Sequence, residues 1–154
     1  MEFKWLSDIK GARFLKIVDQ ISEIVKDYPR GWTKKKILDY IRHHNYDCLL
    51  GFEKKDLACW RAVNKDRNEG VLKGFMIYTF PQYRGKGYAA KITAELARRA
   101  YAGGFKFAQL GLGRGLGSRV LASTGRNRKR LGVAGFSFNS ETGKVIFPAK
   151  RAMR

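Results

Sequence analysis

Along residues 14–25 the apolar side chains Phe14, Ile17, Val18, Ile21, Ile24 and Val25 recur every three or four positions, the period of a helix with one buried face. Pro29-Arg30-Gly31 stops that helix, and Ser7, after a short strand from Phe3 to Leu6, is placed to cap its start. Thr33 caps a second helix with Ile37, Leu38 and Ile41 facing inward. Its first turn carries Lys34, Lys35 and Lys36, at the end where the helix dipole disfavours cations. The pattern then changes. Asp47 to Phe52 and Leu57 to Asn64 are apolar runs of strand length joined by the polar turn Glu53-Lys54-Lys55-Asp56, and Lys65 to Gly70 leads into a third run, Val71 to Phe80. Three strands joined by turns predict antiparallel pairing. Ala89, Ile92, Leu96 and Ala100 return to helical spacing, with Lys91, Glu95, Arg98 and Arg99 opposite, and Gly103-Gly104 ends this helix before a strand from Phe105 to Leu112. Strand, helix, strand from Val71 to Leu112 is a βαβ unit, so the sheet turns parallel there.

Composition narrows the class of protein. The 154 residues form one domain large enough to bury a core without disulfides. Cys48 and Cys59 are the only cysteines, both in strand-like apolar runs, which predicts buried thiols in a reducing compartment. The adjacent His43 and His44 diverge on a helix, and no metal site is expected. No stretch approaches the roughly 18 apolar residues of a membrane span, and the first eight residues lack a signal peptide's apolar core, so the expectation is a soluble, cytoplasmic protein. Charge is the unusual property. Residues 1–80 hold 16 basic and 11 acidic side chains, residues 81–154 hold 16 and 2, and the total is +19. Such a field draws polyanions. A nucleic acid or another acidic partner is expected, with Arg126, Arg128, Lys129 and Arg130 in the densest basic run as the phosphate contacts; a basic face that merely aids solubility is the alternative.

The chemistry centres on Thr79-Phe80-Pro81-Gln82-Tyr83-Arg84-Gly85-Lys86-Gly87-Tyr88-Ala89, where the strand gives way to the helix. A helix start leaves backbone N–H groups without partners and carries partial positive charge, and glycines let a bulky anion approach that backbone. The stretch reads as a phosphate seat. Its spacing, Arg84-x-x-Gly87-x-Ala89, fits neither the dinucleotide fingerprint nor the Walker loop. It resembles the pyrophosphate loop of the GCN5-related N-acetyltransferases. That resemblance implies acetyl-coenzyme A as cofactor, with Arg84 and the backbone of Gly85, Lys86, Gly87, Tyr88 and Ala89 on its diphosphate and the strand edge at Thr79 and Phe80 along its pantetheine arm. It also implies a mixed α+β fold, mostly antiparallel, of six or seven strands and about four helices. The remaining pieces then fall at a helix around Ser118 to Val133 and a hairpin from Ala134-Gly135-Phe136 to Phe147.

The chain departs from the family where acid and base are concerned. Family members often use a glutamate on the fourth or fifth strand and a tyrosine on the fourth helix, yet Val71 to Phe80 and Phe105 to Leu112 contain no carboxylate and no tyrosine follows Tyr101. Tyr78, Gln109 and Ser123 are the polar groups that could serve by position, with Tyr78 and Ser123 as the catalytic candidates and Tyr78 equally readable as a core aromatic. Backbone N–H groups around Phe80 are the oxyanion donors that the resemblance implies. The glycine-alternating run Gly111 to Gly117 lies near the acceptor's expected entry, either as an anion-contacting loop or as a long connection. Two readings follow: an acetyl-coenzyme A dependent N-acetyltransferase, or a protein that keeps the scaffold only to bind nucleic acid or an acidic protein.

Overall fold

The computed structural model describes residues 1–28, 32–110, 125–139 and 142–148, with side chains left aside for 125–127. The run Gly111 to Gly117, Ser123 and the side chain of Arg126 lie outside the described residues. The strands are β1 (Glu2–Trp5), β2 (Tyr46–Glu53), β3 (Asp56–Asp66), β4 (Val71–Thr79), β5 (Phe107–Gln109), β6 (Ser137–Asn139) and β7 (Lys144–Ile146). The helices are α1 (Gly11–Val25), α2 (Lys34–His43), α3 (Tyr88–Ala102) and α4 (Gly125–Arg130). Among the described residues one seven-stranded sheet has the order β1-β2-β3-β4-β5-β7-β6, antiparallel except for the parallel β4–β5 pair. This is the mixed α+β architecture that the family resemblance implies.

Alternation along β2 and β3 divides the core. Leu49, Cys59 and Val63 pack beneath Ile92 and Leu96 of α3, whereas Leu50, Trp60 and Ala62 pack beneath Ile17, Val18, Ile21 and Val25 of α1 and Ile37 of α2. Both strands are buried on both faces, which is why they read as continuous apolar runs rather than as an alternation. Each fully buried side chain of this size contributes about 1.5–3 kcal/mol. Thr33 caps α2 as expected, its Oγ1 accepting from Lys36 N at 3.2 Å. Lys34, set against the dipole, is held by Asp19 of α1 at 2.7 Å.

Ser7 does not cap α1. Leu6–Asp8 form a short 3-10 turn, α1 starts at Gly11 without a side-chain cap, and Ser7 instead donates through N and Oγ to the buried carboxylate of Asp47 at 3.1 and 2.6 Å. Asp47 also accepts from Lys65 at 2.9 Å and from the Cys48 amide at 2.8 Å. A buried carboxylate needs several donors, and that need outweighs a local cap. The third helix begins at Tyr88, one residue before the first apolar position of its spacing, Ala89. Gly135-Phe136 precedes rather than opens β6, because Gly135 holds φ +85° in the turn.

Candidate active site

β4 keeps β3 as its neighbour to its end, with Cys59 opposite Thr79, but its parallel ladder with β5 covers only Val71, Leu72 and Lys73 among the described residues. Gly74 is thus the fork at which the β4–β5 ladder ends among the described residues. β4 also holds one residue more than β3 there: Arg61 pairs with Ile77 and Val63 with Gly74, so Phe75 and Met76 together face Ala62. Such a bulge leaves the extra residue out of the ladder.

Beneath the fork lies Arg61, a site residue that no sequence motif singles out. It is 3% exposed, its guanidinium donating from Nη1 to Thr93 Oγ1 at 2.6 Å and from Nη2 to the Leu110 carbonyl at 2.9 Å. Its Nε is buried without a partner among the described residues. Burial pushes the guanidinium down to about 10, so it stays charged near neutrality. A Cβ on Gly74 would lie 2.8 Å from Nε, so only glycine admits the side chain at the fork. The clue in the sequence was an arginine on the alternate positions Cys59, Arg61 and Val63, which otherwise carry core residues.

The far end of β4 opens into a groove of about 550 Å³ lined by Ile77, Tyr78 and Thr79 of the strand, Tyr83, Arg84, Gly85 and Gly87 of the turn, and Tyr88, Ala89 and Ala90 of α3. Gly85 and Gly87 hold φ +78° and +76°, and a Cβ on either would meet nothing within 4 Å. Left-handed backbone explains the glycines, and open space above them makes the turn a cradle. Gly87 is the N-cap of α3 with no side-chain cap, and the first helical bond runs from Lys91 N to Gly87 O. The amides of Tyr88, Ala89 and Ala90 therefore precede the helical ladder, at the positive end of the dipole. Arg84 is exposed beside them, its Nε donating to Thr79 O at 3.0 Å and its guanidinium 5.6 Å from the Tyr78 ring centre. Lys86 is likewise exposed, over Tyr83.

A hydrogen bond from the Tyr88 hydroxyl to the Glu53 carboxylate ties the start of α3 to the end of β2. It holds Glu53 below the usual carboxylate range, with Lys86 and Lys91 adding to the effect, and pushes Tyr88 up to about 12. Tyr78 packs its ring on Trp60 and edge-on to Phe80 while also lining the groove.

Phe80 must be corrected as an oxyanion donor. Its N–H bonds to Ala58 O at 3.0 Å, because the chain stays beside β3 past the last ladder pair. The bulge at Phe75–Met76 is where the backbone leaves the ladder instead. Gln109 is turned to the final hairpin, its Nε2 donating to Thr142 O at 3.3 Å. In the basic run, Arg128 is half-buried and donates to Phe136 O at 3.3 Å, whereas Lys129 and Arg130 are exposed. Among the described residues no three His, Cys, Asp or Glu side chains cluster as a metal site, and no helix is long and apolar enough to cross a membrane.

No family model and no curated protein matches the chain. Solved structures do. The ribosomal-protein-S18-alanine N-acetyltransferase of Escherichia coli matches over 99% of both chains with TM-score 0.55 at 12% identity. Tetrahymena GCN5 matches over 70% of this chain and 68% of its own with TM-score 0.58 at 9% identity. An aminoglycoside 6'-N-acetyltransferase complexed with coenzyme A matches over 73% of this chain and 62% of its own, with TM-score 0.57 at 10% identity. The chain has the fold of the GCN5-related N-acetyltransferases, and its neighbours in structure are acetyltransferases.

Proposed function

We propose that this chain is an acetyl-coenzyme A dependent N-acetyltransferase. The observation that carries the reading is the uncapped start of α3, fronted by two left-handed glycines with open space above them, at the end of a strand whose ladder with β5 stops at Lys73 among the described residues. A diphosphate fits that cradle: the amides of Tyr88 to Ala90 and Arg84 are donors, and a Cβ at residue 85 or 87 would intrude on the space. Acetyl-coenzyme A would supply a thioester: the amine nitrogen bonds to its carbonyl carbon, the C–S bond breaks, and the proton lost by the amine leaves with the free thiol. The Ile77–Thr79 edge offers backbone groups along which an extended arm can lie, directed to the fork at Gly74. Amides of the Phe75–Met76 bulge then lie where negative charge develops, and Arg61 adds fixed positive charge beneath the fork.

No carboxylate stands on β4 or β5 to take a proton from the amine. An amine with pKa about 10.4 is almost wholly protonated near neutrality, so the acceptor is one that arrives deprotonated. The charge of +19 favours an acidic acceptor, and association with nucleic acid would take the same route through Lys129 and Arg130. The protein is proposed to act in the cytoplasm. Release of free coenzyme A thiol, followed across a panel of amines and pH values, tests the reading. Low-pKa amines should be acetylated near pH 7 and alkyl amines only as pH rises, with Arg84→Glu reducing kcat/KM about ten-fold or more through lost diphosphate binding. Equal rates in Arg84→Glu would overturn it. If the scaffold is only a nucleic-acid binder, no amine is acetylated, and DNA or RNA affinity falls steeply with salt.

A further inference from the structure

Phe75 lies in the fourth of seven strands, yet its side chain is 42% exposed. Central strands normally bury such a ring, and an exposed aromatic set among others marks a contact surface. Around it stand Trp32, which precedes α2, Tyr40 of α2 and Tyr46 at the start of β2. Their centres form a closed circuit: Trp32 to Tyr40 5.1 Å, Tyr40 to Tyr46 4.9 Å, Tyr46 to Phe75 5.4 Å and Phe75 to Trp32 6.3 Å, the last pair stacked at 26°. These rings line a pocket of about 300 Å³, together with Lys36, Asn64 and Lys73.

We infer that this pocket binds a planar heteroaromatic ring carrying a phosphate, as in a nucleotide. Flat aromatic faces attract a ring of any base, and stacking tolerates different bases because all have a π face. An aliphatic ligand would leave the polar lining without purpose. A cation is also drawn to aromatic faces, but among the described residues this lining contains two ammonium groups and no carboxylate. Lys73, which lines the pocket, pairs with Glu69 at 3.3 Å and Asp66 at 3.8 Å, neither of which lines it. Asn64 offers an amide to a ring edge. Phe75 is at once a wall of the pocket and a member of the β4 bulge, so a ligand stacked on it lies beside the fork. As the acceptor's seat the pocket rests on the acetyl transfer proposed above, and it accounts for the missing base, since an amine conjugated to such a ring is not protonated near neutrality.

The test titrates adenosine and guanosine monophosphates into the full chain saturated with coenzyme A, so that the cofactor groove is already filled, and follows quenching of tryptophan fluorescence, with Trp32→Phe as the control that assigns the signal to the pocket rather than to Trp5 or Trp60. At least one nucleotide should quench saturably, whereas ribose 5-phosphate and spermidine should not. Phe75→Ala should weaken nucleotide binding about ten-fold, and Phe75→Trp should retain it, with circular dichroism of both variants unchanged because the ring is partly exposed. Binding that is equal in Phe75→Ala, equal for ribose 5-phosphate, or stronger for spermidine overturns the inference. If coenzyme A itself fails to bind, acetyl transfer falls, while Phe75-dependent quenching by a nucleotide alone would still establish the ring pocket.

Discussion

Gly74→Ala probes the fork with a single methyl group. The added Cβ would sit 2.8 Å from Arg61 Nε, 3.2 Å from Nη2 and 3.3 Å from Leu110 Cδ2. The guanidinium cannot retreat freely, because Thr93 Oγ1 holds one nitrogen at 2.6 Å and the Leu110 carbonyl another at 2.9 Å. A hydrogen bond to a charged group contributes about 1.5–3 kcal/mol, and overpacking a core costs about 1–3 kcal/mol. Loss of one of the two bonds, or equivalent strain, gives about 2 kcal/mol. For a chain of this length that lowers the melting temperature by about 4–8 °C. Urea denaturation of wild type, Gly74→Ala, Arg61→Leu and the double variant measures it. In the Arg61→Leu background the methyl should cost far less, since the two guanidinium nitrogens it strikes are gone and only Leu110 Cδ2 remains close, and the cycle should show coupling above about 1 kcal/mol. A Gly74→Ala variant within about 0.5 kcal/mol of wild type, or strictly additive changes, would refute the reasoning that the buried guanidinium fills the fork.

Tyr88, raised by its bond to Glu53, contributes stability that is complete below the ordinary phenol value of 10.0 and is lost as pH rises through about 12. Ultraviolet titration near pH 11 should therefore find a phenol still protonated that Tyr88→Phe lacks, and simultaneous ionisation of all seven tyrosines near pH 10 would contradict this. Glu53 has the opposite sign: its depressed value contributes stability above the ordinary 4.5 that is lost as pH falls through the folded value, so Tyr88→Phe should narrow the stability gap between neutral and acid pH. Cys48 and Cys59 are buried and burial raises both thiols, Cys59 to about 12, so a thiol reagent near pH 8 should react with neither until denaturant is added. Gly87→Ala must place a Cβ-bearing residue at φ +76°, costing about 1–2 kcal/mol of stability, and should weaken acetyl-coenzyme A binding beyond what the stability loss explains.

The features visible in the sequence were those set by short-range rules. Thr33 announced the start of α2, and the doubly buried β2 and β3 announced themselves as apolar runs. Gly85 and Gly87 between an apolar strand and an amphipathic helix marked the cradle, because positive φ at a strand-to-helix turn restricts residue choice locally. Ser7 misled for the complementary reason: a partner 40 residues away, Asp47, outbids the local cap. The Phe80 amide was assigned from a strand end whose bond to Ala58 depends on how far β3 extends. Arg61 acts through Thr93 and Leu110, 32 and 49 residues distant, and no spacing rule connects them. The ring pocket gathers Trp32, Tyr40, Tyr46 and Phe75 from separate elements, where each alone reads as an ordinary half-buried aromatic.

Calorimetric titration of acetyl-coenzyme A into the wild-type chain and into Arg84→Glu asks directly whether the cradle holds a diphosphate. A single saturable site should appear, weakened about ten-fold or more by the charge reversal, which corresponds to about 1.4 kcal/mol or more. No saturable heat up to about 1 mM cofactor, a binding free energy weaker than about 4.1 kcal/mol, would contradict the assignment of this fold to acetyl transfer.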